Sequence, residues 1–222
     1  MSTEDHANIQ TSLYDDNELL PLLITFPEIT DCKINTEQFL NASRAALKMI
    51  DRFGKVFTAI KYDMHTNIEK LTSKFKSNEE KYSTLQDMIL VEKKSHNKNK
   101  FVIESILWLA RELRMIQLIF SRIVEAHEMG DPPEELFPTI KDAYRESLEP
   151  YHGFMATQLF NLLSRNVLQR SELLLHLANG IGGREETTLM LMEIYSEGIR
   201  RIILNLHRFM RTHNLGPVLH IH

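Results

Sequence analysis

The chain has 222 residues, 43% of them hydrophobic, which is enough for one substantial core and short for two. Its 26 Lys and Arg against 30 Asp and Glu leave a formal net charge of −4, which argues against nucleic acid as a partner and against binding to a bilayer through charge alone. The one cysteine, Cys32, excludes an internal disulfide and any Cys/His zinc spacing, so a reducing, cytoplasmic compartment fits best.

Residues 1–18 are polar and aperiodic and read as a flexible extension. The N-terminus is acidic where a secretory signal is basic, and Leu19 to Ile24 is too short for a signal core or a membrane span. A helical pattern begins at Asn35 with a face of Phe39, Leu40, Ala46, Leu47 and Ile50, interrupted by the small polar Ser43, and Gly54 breaks it. From about Val56 to Lys76, the residues Phe57, Ile60, Met64, Ile68, Leu71 and Phe75 recur at three- and four-residue spacings, the mark of an amphipathic helix. Beside that stripe Asp63, Asn67 and Lys70 fall at i, i+4 and i+7, so two acceptors and a cation project from one side over two turns. That set suits a molecule rich in hydroxyls and amides, and it equally suits a solvated face.

Glu80 to Val91 predicts a further helix, and Glu92 to Lys100 a solvated loop or fraying end. Phe101 to Val124 is apolar nearly all the way round, which places this helix in the middle of the fold. It carries the only tryptophan, Trp108, readable as a core residue or as a platform on which the CH face of a sugar ring stacks. Gly130 to Glu134 is a stop and restart with Asp131 as a candidate N-cap, followed by a helix that reaches Pro150 and resumes through Phe154, Leu159, Phe160 and Leu163. His152 sits at that join. Ser171 is a candidate cap for Glu172 to Ala178, and a last helix runs from about Arg184 to Arg211. No segment alternates with period two and no repeat is found, so the chain is expected to be all-α, with about eight helices in packed layers. The expected layout is one domain over 19–215 and a tail over 216–222.

There is no GxSxG, no HExxH and no glycine-rich phosphate loop after a strand, so no enzymatic activity and no cofactor is expected. His213, His220 and His222 have no pattern of acids beside them to orient the imidazoles, and no metal is assigned to them.

The run Val56-Phe57-Thr58-Ala59-Ile60-Lys61-Tyr62-Asp63, then Asn67 and Lys70, Thr84-Leu85-Gln86, Leu107 to Arg114 and Tyr151-His152-Gly153-Phe154 closely resembles the glycolipid transfer protein family, over roughly Phe39 to Leu163. The resemblance implies a two-layer helical fold that opens to accept a sphingolipid. It implies that Asp63, Asn67 and Lys70, at the family's DxxxNxxK motif, hydrogen-bond the sugar and the adjoining amide. Trp108 would then stack on the first sugar and His152 would hold the ceramide carbonyl. Phe57, Met115, Leu148 and Phe160 match positions lining a hydrocarbon tunnel, and Tyr144 and Phe154 match aromatics that contact the membrane. Two departures stand out: Phe154 replaces the usual tryptophan, and Pro150 precedes His152 where a helix would run on. The expected partners are a glycosphingolipid and, transiently, a membrane surface, with no nucleic acid and a monomeric chain. Two other readings stay open. One is a ceramide-1-phosphate carrier, which Asn67 and Trp108 oppose and Lys70 and Arg111 allow. The other is a sensor that binds a glycolipid without transferring it.

Overall fold

The computed structural model describes residues 21–95, 100–163 and 167–216. The expected extension over 1–18 lies outside the described residues, as do His220 and His222. Among the described residues eight α-helices occur in order: α1 Thr36–Ile50, α2 Thr58–Lys76, α3 Leu85–Lys94, α4 Phe101–Glu128, α5 Phe137–Ser147, α6 Phe154–Leu163, α7 Arg170–Leu177 and α8 Glu185–Thr212. Isolated bridges apart, no strand occurs among the described residues, so the all-α expectation is met.

Local chemistry explains most of the boundaries. Asn35 caps α1 by accepting from the Gln38 N–H at 2.9 Å. Ser43, which interrupts the apolar face, is fully buried and returns its hydroxyl to the Phe39 carbonyl at 2.8 Å, so it needs no outside partner. Gly54 adopts φ +93°, a conformation costly for a side-chain-bearing residue, and it separates two short 3-10 turns that reverse the chain into α2. Phe57 therefore belongs to the turn Lys55–Phe57 rather than to the helix.

α4 lies in the middle. Its 28 residues span about 42 Å at 1.5 Å per residue, and α8, α2, α5 and α3 all pack on it. One buried cluster runs through the described chain from Leu22 to Met210. The expected solvated loop before α4 needs correction at its first residue. Glu92 is buried, and its carboxylate accepts from the Val102 N–H at 3.0 Å and the Ile103 N–H at 2.7 Å, which satisfies the first turn of the central helix.

Two further helix starts differ from expectation. Asp131 caps nothing, because the helix begins at Phe137, with Pro138 tolerated in its first turn. The next start moves from Ser171 to Gln169, whose backbone N–H donates to Glu172 in a capping box. Pro150 ends α5 without breaking the order of the chain beyond it: the 3-10 turn Glu149–Tyr151 accommodates the ring, and His152 adopts extended backbone before α6.

The Glu92 cap makes a prediction about stability. Glu92→Ala should cost about 2 kcal/mol in urea unfolding, because two N–H groups lose their partner inside the protein. Lys94→Ala, at an exposed position of α3, should cost under about 0.5 kcal/mol. Equal effects of the two substitutions would contradict the cap.

Candidate functional site

α2 and α4 pack side by side, and α5, α6 and the join between them complete the lining of a cavity of about 260 Å³. Most of its wall is apolar, with Val56, Ile60, Leu148 and Phe160 among the lining residues. Three polar side chains share that lining: Asp63 from α2, Glu112 from α4 and His152 from the join. Tyr62 and Leu159 also line it and are exposed, so they form its rim.

His152 is held from several sides. The Tyr144 hydroxyl lies 2.8 Å from its Nδ1, the Trp108 ring stacks on it at 5.5 Å and 26°, and Asp63 bears on it electrostatically. Burial pushes its pKa below the ordinary histidine range, and the Asp63 carboxylate only partly restores it, so the ring is neutral at pH 7. The Tyr144 hydroxyl and Nδ1 share a hydrogen bond whose direction follows the ring tautomer, and Nε2 is the ring nitrogen left for an outside partner.

Trp108 is half-buried, with Tyr151 edge-on at 6.4 Å. The Arg111 guanidinium lies 3.4 Å from the centre of the Tyr151 ring and 5.2 Å from that of Trp108. This cation is spread over two aromatic faces. Asn67, one turn beyond Asp63, is 4% exposed, and its Nδ2 has no hydrogen-bond partner among the described residues. A buried amide donor left unsatisfied is costly, and it marks a place where a ligand acceptor would be welcome. Lys70, a turn further on, is exposed.

The residues singled out in the sequence therefore divide. Asp63 and His152 meet on one lining, and Trp108 stacks on the second of them. Leu148 and Phe160 are among the lining residues of the same cavity. Phe57 instead lines a separate hollow of about 240 Å³ beside Gly54 and Lys61, and Met115 is buried in the core and lines neither space. Tyr144 requires the clearest correction. Expected at a membrane-contacting surface, it is 2% exposed, lies flat against Phe160 at 3.7 Å, and forms part of the cavity wall. Phe154 does point outward, at 76% exposure. His213 gives its Nδ1 to the Phe209 carbonyl at 2.9 Å, and no metal-binding group is found among the described residues.

Glu112 was missed by the sequence reading. It is 2% exposed, shares a hydrogen bond with Asp63, and has no partner at Oε2 among the described residues. Burial, reinforced by the neighbouring Asp63 charge, pushes its pKa well above the usual carboxylate range. The available signal was its position: an acid one turn after Trp108, inside a helix that is otherwise apolar nearly all round.

The sequence model of the glycolipid transfer protein family matches residues 34–179, more than half of the chain. The glycolipid transfer protein of Danio rerio is 29% identical over 163 residues, covering 72% of this chain and 78% of that protein. Among solved structures, the fungal glycolipid transfer protein HET-C2 superposes with a TM-score of 0.68 at 26% identity, covering 85% of this chain and 92% of the other. The apo-form of mouse ceramide-1-phosphate transfer protein superposes with a TM-score of 0.75 at 16% identity, covering 89% and 96%, a likeness of fold. With its all-helical architecture and the match over residues 34–179, the chain belongs to the glycolipid transfer protein family.

Proposed function

We propose that this chain is a cytoplasmic carrier that binds a glycosphingolipid and moves it between membranes without altering it. The observation that carries the reading is the composition of one cavity: apolar over most of its wall, with Asp63, Glu112 and His152 along the same lining. Two lipid chains of some thirty carbons resist entering water by on the order of 20 kcal/mol, so an apolar wall that replaces the bilayer makes exchange nearly neutral. That apolar contribution hardly distinguishes one sphingolipid from another, so selection falls to the polar groups.

Each polar group has a suitable counterpart in such a ligand. In this reading Tyr144 donates to Nδ1 of His152, and the ring donates from Nε2 to the amide carbonyl. Asp63 accepts from the amide N–H and from a sugar hydroxyl, and the unpartnered Nδ2 of Asn67 donates to a sugar oxygen. Lys70 adds a cationic donor at the exposed end. Trp108 supplies the indole face for the first sugar ring. At about 260 Å³ the cavity is smaller than the roughly 300–1,000 Å³ of sites for drug-sized ligands, so loading two chains requires the helices around it to part.

A sugar head group is favoured over a phosphate by the disposition of the charges. Arg111 is buried against the rings of Tyr151 and Trp108, and Asp63 and Glu112 occupy the lining where phosphate oxygens would sit. Docking at a membrane is assigned to the outer face of α6. Phe154, Met155, Leu159 and Leu162 are all exposed there, and apolar insertion needs no basic surface.

Transfer assays between vesicles test both parts. Asp63→Val should lower glycosylceramide transfer by about 10- to 100-fold, the worth of ~1.5–3 kcal/mol for hydrogen bonds to a charged group, with unchanged helicity. Normal transfer by this variant would exclude Asp63 as the anchor. Phe154→Ala should reduce vesicle partitioning and transfer by about 10-fold, as expected for losing one inserted aromatic, while affinity for a soluble short-chain glycolipid holds. If short-chain binding fell in step, Phe154 would belong to the pocket and not to the docking face.

A further inference from the structure

Burying a carboxyl group is costly, and proteins normally offset the cost with hydrogen bonds to both oxygens or with a paired cation. Among the described residues Glu112 has neither. It projects from the central helix at 2% exposure, its hydrogen-bonding neighbour is another acid, Asp63, and its Oε2 has no partner. Arg111, next to it in sequence, is engaged with the rings of Tyr151 and Trp108. A leucine at this position would suit the helix better, so nothing in the packing of the fold accounts for the acid. Its location does: Glu112 lines the same cavity as Asp63 and His152.

Burial and the Asp63 charge both favour the protonated form of Glu112, the form that can donate to the Asp63 carboxylate. The other oxygen of Glu112 is left as an acceptor, buried and without a partner among the described residues. Together the pair offers acceptors and a negative charge, with no donor left over for an anion. A sugar hydroxyl can donate to this pair, whereas a phosphate meets like charge.

On the reading of the chain as a glycosphingolipid carrier, we propose that Glu112 is a further specificity-determining residue. Its Oε2 accepts a hydrogen bond from a hydroxyl of an uncharged head group, and with Asp63 it turns away a phosphate-bearing one. The contact forms as the cavity parts around the ligand, which is when the shielded oxygen becomes reachable. Trp108, one turn away and the only tryptophan in the chain, reports on it by fluorescence.

The test compares the full-length chain with Glu112→Gln and Glu112→Leu. Each is assayed for melting temperature, for Trp108 fluorescence on titration with a short-chain monohexosylceramide, and for transfer between phosphatidylcholine vesicles. The transfer assay carries either a monohexosylceramide or ceramide-1-phosphate. Gln keeps a donor for Asp63 and an acceptor in place of Oε2, so binding and transfer should stay within about 3-fold of the parent. Leu removes both, and monohexosylceramide affinity and transfer should fall about 10-fold while the melting temperature holds or rises. The preference over ceramide-1-phosphate should narrow with it.

Unchanged binding and preference in Glu112→Leu would overturn the proposal, as would an equal loss in Glu112→Gln. Glu112→Met guards against a packing defect peculiar to leucine. If both apolar variants melt well below the parent, the carboxyl supports the fold and the recognition role is overturned. A parent protein that transfers no monohexosylceramide would instead overturn the carrier reading itself.

Discussion

The structure depends on the burial of one long helix. α4 is covered by neighbours on nearly every side, so each polar atom it carries must find a partner inside the protein or be kept for something that arrives later. At its N-terminus the obligation is met by Glu92, which accepts from two backbone N–H groups. Further along, Gln117 reaches the hydroxyl of Ser196 on α8 at 3.3 Å. Between these points Trp108, Arg111 and Glu112 fall within little more than one turn. This is where the helix meets the cavity, and where the balance of polar partners is left incomplete.

On the proposed reading, that local incompleteness separates recognition from solubilisation: the apolar wall would stabilise hydrocarbon of almost any kind, and the polar lining would decide which head group is tolerated. Its members hold one another: the Tyr144 hydroxyl engages Nδ1 of His152, Trp108 stacks on that ring, and Asp63 stands beside Glu112. Such mutual constraint reduces the ordering cost when a ligand binds.

The helices were legible because periodicity reports burial directly. The stripe of Ile60, Met64, Ile68, Leu71 and Phe75 is buried, and the apolar circumference of α4 gives its central place. Asp63 was legible through its spacing with Asn67 and Lys70, and His152 only through the family resemblance; the structure brings them onto one lining although 89 positions separate them in the sequence. What stayed hidden depends on direction rather than pattern. Tyr144 and Phe154 are both aromatics beside a helix break, yet one lies against Phe160 and the other faces outward, and no spacing rule distinguishes them. One cap moved by two residues, from Ser171 to Gln169, because the capping box of Gln169 with Glu172 sets the earlier start. Glu92 read as the start of a solvated loop or fraying end and Glu112 drew no reading of its own, because their partners come from other segments.

If the cavity selects a sphingolipid by an uncharged, hydroxyl-bearing head group, that choice is visible in the mass of the complex. Native mass spectrometry reads it on protein recovered after equilibration with vesicles containing equal amounts of a monohexosylceramide and ceramide-1-phosphate of matched chains. The expected product is a one-to-one complex whose added mass is that of the monohexosylceramide. Recovery of the complex mainly with ceramide-1-phosphate, or of protein carrying neither lipid, would contradict selection by this cavity.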